Sequence, residues 1–303
     1  MSRRAKTSRL PALTVLMLVI VVVAAVGLVL AHSSAAPGDR IPTGASLGFS
    51  AVFSAGEGSG DRYSQEESAA LSRPLPEDAA KVHVPVLMYH YVDEEPPPAG
   101  PYADGLTVRT PDFVEELEYL AANGHHTVSL ADAYLAMAGL GELPEKPVIL
   151  TFDDGGLDNY EVAFPLLQRY GFTATFFVIT KTVGAQGQMG WDQLREMAEA
   201  GMSIQSHSVS HPDLTGVSAE RLRSELADSR AAITEAIGEP GYVLSYPAGS
   251  YNERVKEAAQ AAGYVMALAT DRGADLDPYA VFEIKRKRVQ AFLPISTFAR
   301  LVE

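Results

Sequence analysis

Two acidic residues in succession, Asp153 and Asp154, follow the apolar run 147–152 and precede Gly155. Adjacent carboxylates at the end of a buried strand repel one another unless a cation or a proton compensates, so the pair marks a place for metal or acid–base chemistry. A solvated Asp-Asp-Gly turn is the plain alternative. Further along, His207 and His211 stand four residues apart. That spacing sets two imidazoles on one side of a helical turn, where they can grip one ion, although two unrelated loop histidines have the same spelling. One carboxylate and two imidazoles make a three-donor set with room for water, the layout of a catalytic rather than a structural zinc-type site. Two further polar clusters also follow apolar runs: Tyr89-His90, and Tyr246-Pro247-Ala248-Gly249.

The elements that would position these groups alternate. Apolar, β-branched runs at 84–90, 147–152, 172–180, 202–206, 242–246 and 264–270 read as strands, as does the basic stretch 283–292. Helical spacing predicts helices over 110–124, 159–171, 191–201, 217–238 and 252–262, with 296–303 as a closing helix. Thr110 reads as an N-cap before Pro111, and Ser218 as the cap of the longest helix. Strands alternating with helices imply a parallel α/β sheet, and this many units suit a barrel better than an open sheet. A doubly wound nucleotide-binding sheet would also want a glycine-rich loop after its first strand, and MYHYVDEEPPP offers none. In a parallel barrel the C-terminal strand ends share one face, so all four polar clusters are expected to converge there.

The stretches Thr151-Phe152-Asp153-Asp154-Gly155 and His207-Ser208-Val209-Ser210-His211-Pro212 resemble the first two motifs of the polysaccharide deacetylases, carbohydrate esterase family four with its NodB-homology domain. The resemblance runs over 84–302. It implies a distorted (β/α) barrel of about seven parallel strands that removes acetyl groups from N-acetylated sugars with a divalent metal, zinc first, with cobalt, nickel or manganese as alternatives. By position, Asp153 would be the general base, Asp154 a metal ligand with His207 and His211, and the backbone N–H of Ala248 the oxyanion donor. Such roles suit amide hydrolysis, which needs an activated water and a stabilised oxyanion. The sequence departs from the family where the third motif usually carries an arginine and this chain has Ser245. Arg286 or Arg288 could stand in, but the alternation of KRKR reads more simply as a solvated basic strand. The family's late histidine acid is also absent, because His211 is the last histidine. A branch resembling the poly-β-1,6-N-acetylglucosamine deacetylases opens on a strand like VLMYH and has YP-x-G as its third motif. By that resemblance His90 is the acid, against a reading as a packed strand-end histidine. Asp271 is a candidate to orient His90. Trp191, the only tryptophan, would either stack on a sugar ring or pack its helix.

With 47% hydrophobic residues the chain has enough apolar surface for a sizeable core, and without cysteine it has no disulfide scaffold, thiolate metal site or cysteine nucleophile. A net charge of −14 disfavours nucleic acid as a partner. Arg3, Arg4, Lys6 and Arg9 precede an uncharged stretch at 10–31, about 33 Å long as a helix. Residues 1–31 are therefore expected to be a cytoplasmic basic end with a signal anchor, or a cleaved signal peptide, and the remainder extracytoplasmic. Residues 32–80, more than half Gly, Ala, Ser and Pro, read as a flexible linker, and 82–303 as the catalytic domain. The expected partners are the membrane and an N-acetylated polysaccharide, with no obligate protein partner evident. The rival functions are an O-acetyl esterase or another amide hydrolase on the same scaffold, and a tethered glycan-binding domain without turnover.

Overall fold

The apolar runs become a parallel sheet in the computed structural model, which describes residues 63–94 and 103–303. Its strands are β1 (Val86–Tyr89), β2 (His126–Thr127), β3 (Pro147–Phe152), β4 (Thr175–Val178), β5 (Ser203–Ser206), β6 (Val243–Ser245), β7 (Met266–Leu268) and β8 (Lys287–Arg288). Seven follow the order β7-β6-β5-β4-β3-β1-β8, every pair parallel, while β2 pairs with the start of β3. This arrangement fits the distorted (β/α) barrel expected. Besides a four-residue helix at Ala103–Leu106, the helices are α1 (Gln65–Ala70), α2 (Thr110–Ala122), α3 (Leu130–Met137), α4 (Phe164–Tyr170), α5 (Trp191–Glu199), α6 (Ala219–Ile237), α7 (Glu253–Ala261) and the short α8 (Ile295–Phe298). A single π-helical turn, Asn159–Ala163, leads into α4.

Alternation along the strands sorts the side chains into two populations. Leu87 and Tyr89 of β1, Val148, Leu150 and Phe152 of β3, and Phe176 and Val178 of β4 join one core with α2, α4 and α5. Val86, Ile149, Phe177, Val243, Met266 and Leu268 fill the opposite face. Phe152 stacks between Tyr89 and Phe176, with centroids 5.0 and 4.8 Å away, so three neighbouring strands are locked in register at their C-terminal ends. The same alternation puts Thr151 and Asp153 on the face of Ile149, and His90 on the face of Val86. Register places Met88 opposite Thr151, and Asp153 N–H donates to the Tyr89 carbonyl at 3.1 Å, so His90 and Asp153 leave their strands side by side.

Several expectations need correction. The strand expected over 283–292 is regular only at Lys287–Arg288. Residues before it bond to β7, through Ile284 N–H to the Ala267 carbonyl, and Val289 N–H beyond it bonds to Met88 of β1. One segment thus bridges the seam between two strands and cannot extend along either. Within the stretch read as linker, Ser64 and Glu67 form a capping box that starts α1, and Ala70 and Leu71 are buried. Arg109, not Thr110, is the N-cap of α2, and its guanidinium is held by Asp112. Helix α3, which helical spacing did not single out, starts from a Ser129–Asp132 capping box. Residues 1–31 and the linker up to residue 62 lie outside the described residues. Among the described residues no helix is long and apolar enough to cross a membrane.

Behind the first site-bearing strand, Tyr89 donates to Glu116 Oε2 at 3.0 Å, while Glu116 Oε1 is buried without a partner. Burial pushes the Glu116 carboxyl up to about 8, against the Tyr89 hydrogen bond. Above its unfolded value the folded state must either hold that proton or pay to ionise it, so stability falls as pH rises towards 8. The slope is about 1.4 kcal/mol per unit at most. Glu116→Gln is expected to melt near wild type at pH 5 and above it at pH 8.5; parallel melting curves at both pH values would contradict this.

Candidate active site

The four strand-end clusters meet on one face, as the parallel sheet requires. Asp154 Oδ1 lies 3.5 Å from His207 Nε2 and 3.9 Å from His211 Nε2, and one donor atom from each residue falls within 4.8 Å of the others. His207 Nδ1–H donates to the Ser245 carbonyl at 2.8 Å, which fixes the tautomer and leaves the Nε2 lone pair facing Asp154. Burial disfavours a charged His207, yet Asp153 and Asp154 outweigh it and raise the imidazole, so this is a spot where positive charge is stabilised. Donor types, tautomer and electrostatics therefore fit a divalent cation.

The two histidines do not share a helical turn. They sit on a loop in which Ser208 and His211 adopt left-handed φ of 66° and 55°. Side chains replace the helical bonds there: Ser206 Oγ accepts from Ser208 N–H, Ser208 Oγ from His211 N–H, and Glu225 of α6 accepts both from the Ser210 amide and from its hydroxyl. The imidazole rings still come within 4.7 Å.

Asp153 is buried, and the reason it can be ionised there is Arg286. The guanidinium is fully buried; Nη1 donates to Asp153 Oδ1 at 2.8 Å and Nη2 to Oδ2 at 2.7 Å. Its remaining bonds go to the Ala269 carbonyl, Thr151 Oγ1 and Ser245 Oγ. Burial alone would raise the Asp153 carboxyl, but Arg286, with His207, holds it well below the usual carboxylate range. The expectation that KRKR is simply a solvated strand is thus overturned for Arg286. The seam-crossing segment carries it inward, and Ser245 contributes a small hydroxyl to the same network. The missed signal was the apolar Ile284 two residues earlier, whose alternation puts Arg286 on the buried face.

His90 is mostly buried, with Nε2 4.0 Å from Asp153 Oδ2; burial lowers its imidazole against the pull of Asp153 and Asp154. Asp271 does not reach it as expected: its side chain is exposed and its carbonyl accepts the Arg286 amide. In the fourth cluster, Tyr246 is buried behind the turn and donates to the Phe282 carbonyl, and Pro247 is buried with it. Ala248 is exposed with φ 55°, and the turn's own bonds use the amides of Gly249 and Ser250 rather than that of Ala248. A Cβ at Gly249 would lie 2.3 Å from Thr270 Oγ1, so only glycine lets the turn sit here. Trp191 is half-buried at the start of α5 and packs on the main core.

Residues 140–267 match the sequence model of the family described as polysaccharide deacetylase. YxkH of Bacillus subtilis (strain 168), which its name assigns provisionally to the polysaccharide deacetylases, is 34% identical over 220 residues, covering 73% of this chain and 76% of that protein. The poly-beta-1,6-N-acetyl-D-glucosamine N-deacetylase of Escherichia coli (strain K12) is 33% identical over 119 residues, 34% of this chain and 18% of that protein. Among solved structures, the Streptococcus pyogenes deacetylase PplD in complex with acetate superimposes with a TM-score of 0.68 at 28% identity, covering 74% of this chain and 100% of that one.

Proposed function

This chain belongs to the polysaccharide deacetylase family, and on that premise we propose that it is a metal-dependent hydrolase removing N-acetyl groups from N-acetylglucosamine units of an envelope or extracellular polysaccharide. The observation that carries the proposal is the Asp154, His207 and His211 donor set beside an ionised, arginine-held Asp153. Those three residues would hold a divalent cation, zinc first, which would supply the Lewis acidity that an unreactive amide carbonyl needs. Asp153 accepts the proton of the attacking water; Arg286 and the Ser245 hydroxyl both bond to its Oδ2, while Oδ1 takes one bond, from Arg286, and keeps a lone pair for the proton. The Ala248 N–H meets the oxyanion that develops on the acetyl oxygen. His90, with Nε2 4.0 Å from Asp153 Oδ2, protonates the leaving amine, which would otherwise depart as an unstable anion. The acyl group as acetate agrees with the ligand bound to PplD, and the β-1,6-linked polymer with the name of the Escherichia coli relative. The polymer's location supports a domain outside the cell membrane, tethered by 10–31 or secreted after cleavage.

Acetate release decides between the readings. Metal-replete protein should free acetate from β-1,6 or β-1,4 N-acetylglucosamine oligomers or from peptidoglycan. Release from acetylated xylan alone would make the chain an O-acetyl esterase, and polymer binding without release would make it a glycan-binding domain.

A further inference from the structure

Asp154 has two oxygens, and only one faces the histidines. The other, Oδ2, accepts the Tyr91 hydroxyl at 2.8 Å, while Oδ1 points at both imidazoles. Tyr91 directly follows His90, in a short strand Tyr91–Asp93 that pairs in parallel with Thr107–Arg109. Two more bonds staple that strand to the loop beyond Asp154. Val92 N–H donates to Asp158 Oδ2 at 2.7 Å, and Asn159 Nδ2 donates to the His90 carbonyl at 2.9 Å. Gly156 makes the approach feasible: a Cβ there would stand 3.1 Å from two Tyr91 ring carbons and 2.3 Å from Asp158 Oδ1. Asp154 itself is held at a left-handed φ of 75°, a backbone state a non-glycine residue keeps only when its surroundings impose it.

We propose that Tyr91 is a positioning residue of the metal centre: its hydroxyl occupies Asp154 Oδ2, so that Asp154 serves as a one-oxygen ligand directed between His207 and His211. This rests on the metal-centre reading above. A hydrogen bond to the outer oxygen fixes the carboxylate's rotation and prevents it from turning both oxygens on the ion, which keeps positions open for water and substrate. Nothing in the family resemblance pointed to Tyr91, and its one sequence signal is its place beside His90.

The test compares metal-stripped wild type with Tyr91→Phe, which removes the hydroxyl and keeps the ring. Zinc affinity, read by competition with a chromophoric chelator, is expected to fall about 10–100-fold, as for other partners of metal ligands. At saturating cobalt the visible absorption of Tyr91→Phe should differ from wild type, because a freed carboxylate changes the number of bound oxygens. A general loosening of the fold would weaken binding yet leave the saturated spectrum alone, so an unchanged spectrum overturns the proposal. So does wild-type zinc affinity. If wild type itself takes up neither metal, the metal-centre reading falls first, and the role of Tyr91 with it.

Discussion

Arg286→Ala is expected to cost the domain about 3–5 kcal/mol of stability, the range for breaking a buried ion pair and leaving one charge uncompensated. For a domain of this size that is a fall in melting temperature of about 10 °C. The cost arises because Asp153 would stay buried with the desolvation penalty of its charge and without the two bonds that offset it. The carboxyl would respond as burial alone dictates, by rising. Its base form, which Arg286 holds across the neutral range, would then be lost as pH falls, and the acid limb of the kcat/KM profile would move to higher pH. Arg286→Lys keeps the charge but not the planar fork, so an intermediate profile is expected. Removing both partners in Asp153→Leu/Arg286→Met should recover much of the stability and none of the turnover, because two charges removed together leave neither stranded. Melting curves and pH–rate profiles of these variants check this; Arg286→Ala with an unshifted acid limb would show that Arg286 does not hold the base.

The sheet and the meeting of Asp154, His207 and His211 were legible because each rests on a local pattern. Apolar runs of strand length, each ending in polar residues, determine both where a strand stops and which face its last side chain takes, and β3 with Asp153 keeps to that pattern. The loop of His207 and His211 was legible as a pair but not as a shape. Spacing of four suits a helical turn, and what replaces it is a set of local bonds to the Ser206 and Ser208 hydroxyls together with Glu225, which reaches the loop from α6. Arg286 was misread because charge runs usually sit in solvent, and the partner that reverses this comes from β3, far off in sequence. Tyr91 was silent for the same reason: a hydroxyl aimed at Asp154 is a fact of register, and no spacing encodes it. Local chemistry can be read residue by residue, but side chains that act by meeting across strands need the fold.

Separating the base from the ligands is the largest effect the site predicts. Asp154→Ala or His207→Ala removes one of three donors and should abolish stoichiometric zinc uptake, and turnover with it, since two remaining donors leave the ion mostly to water. Asp153→Asn should behave oppositely. Its carboxamide stays clear of the three donors, so zinc binding persists, but it cannot take a proton from water, and kcat should fall about 10²–10⁴-fold. Some stability will be lost as well, because Arg286 then faces a neutral group. Zinc content of the folded protein is therefore measured beside the rate: low turnover with full zinc assigns the base, and low turnover with lost zinc assigns a ligand. His90→Ala falls in the first class, since Nε2 faces Asp153 and not the triad. The two classes part on metal content alone, so Asp153→Asn at wild-type speed, or Asp154→Ala with a full complement of zinc, would each break the division of labour between the adjacent aspartates.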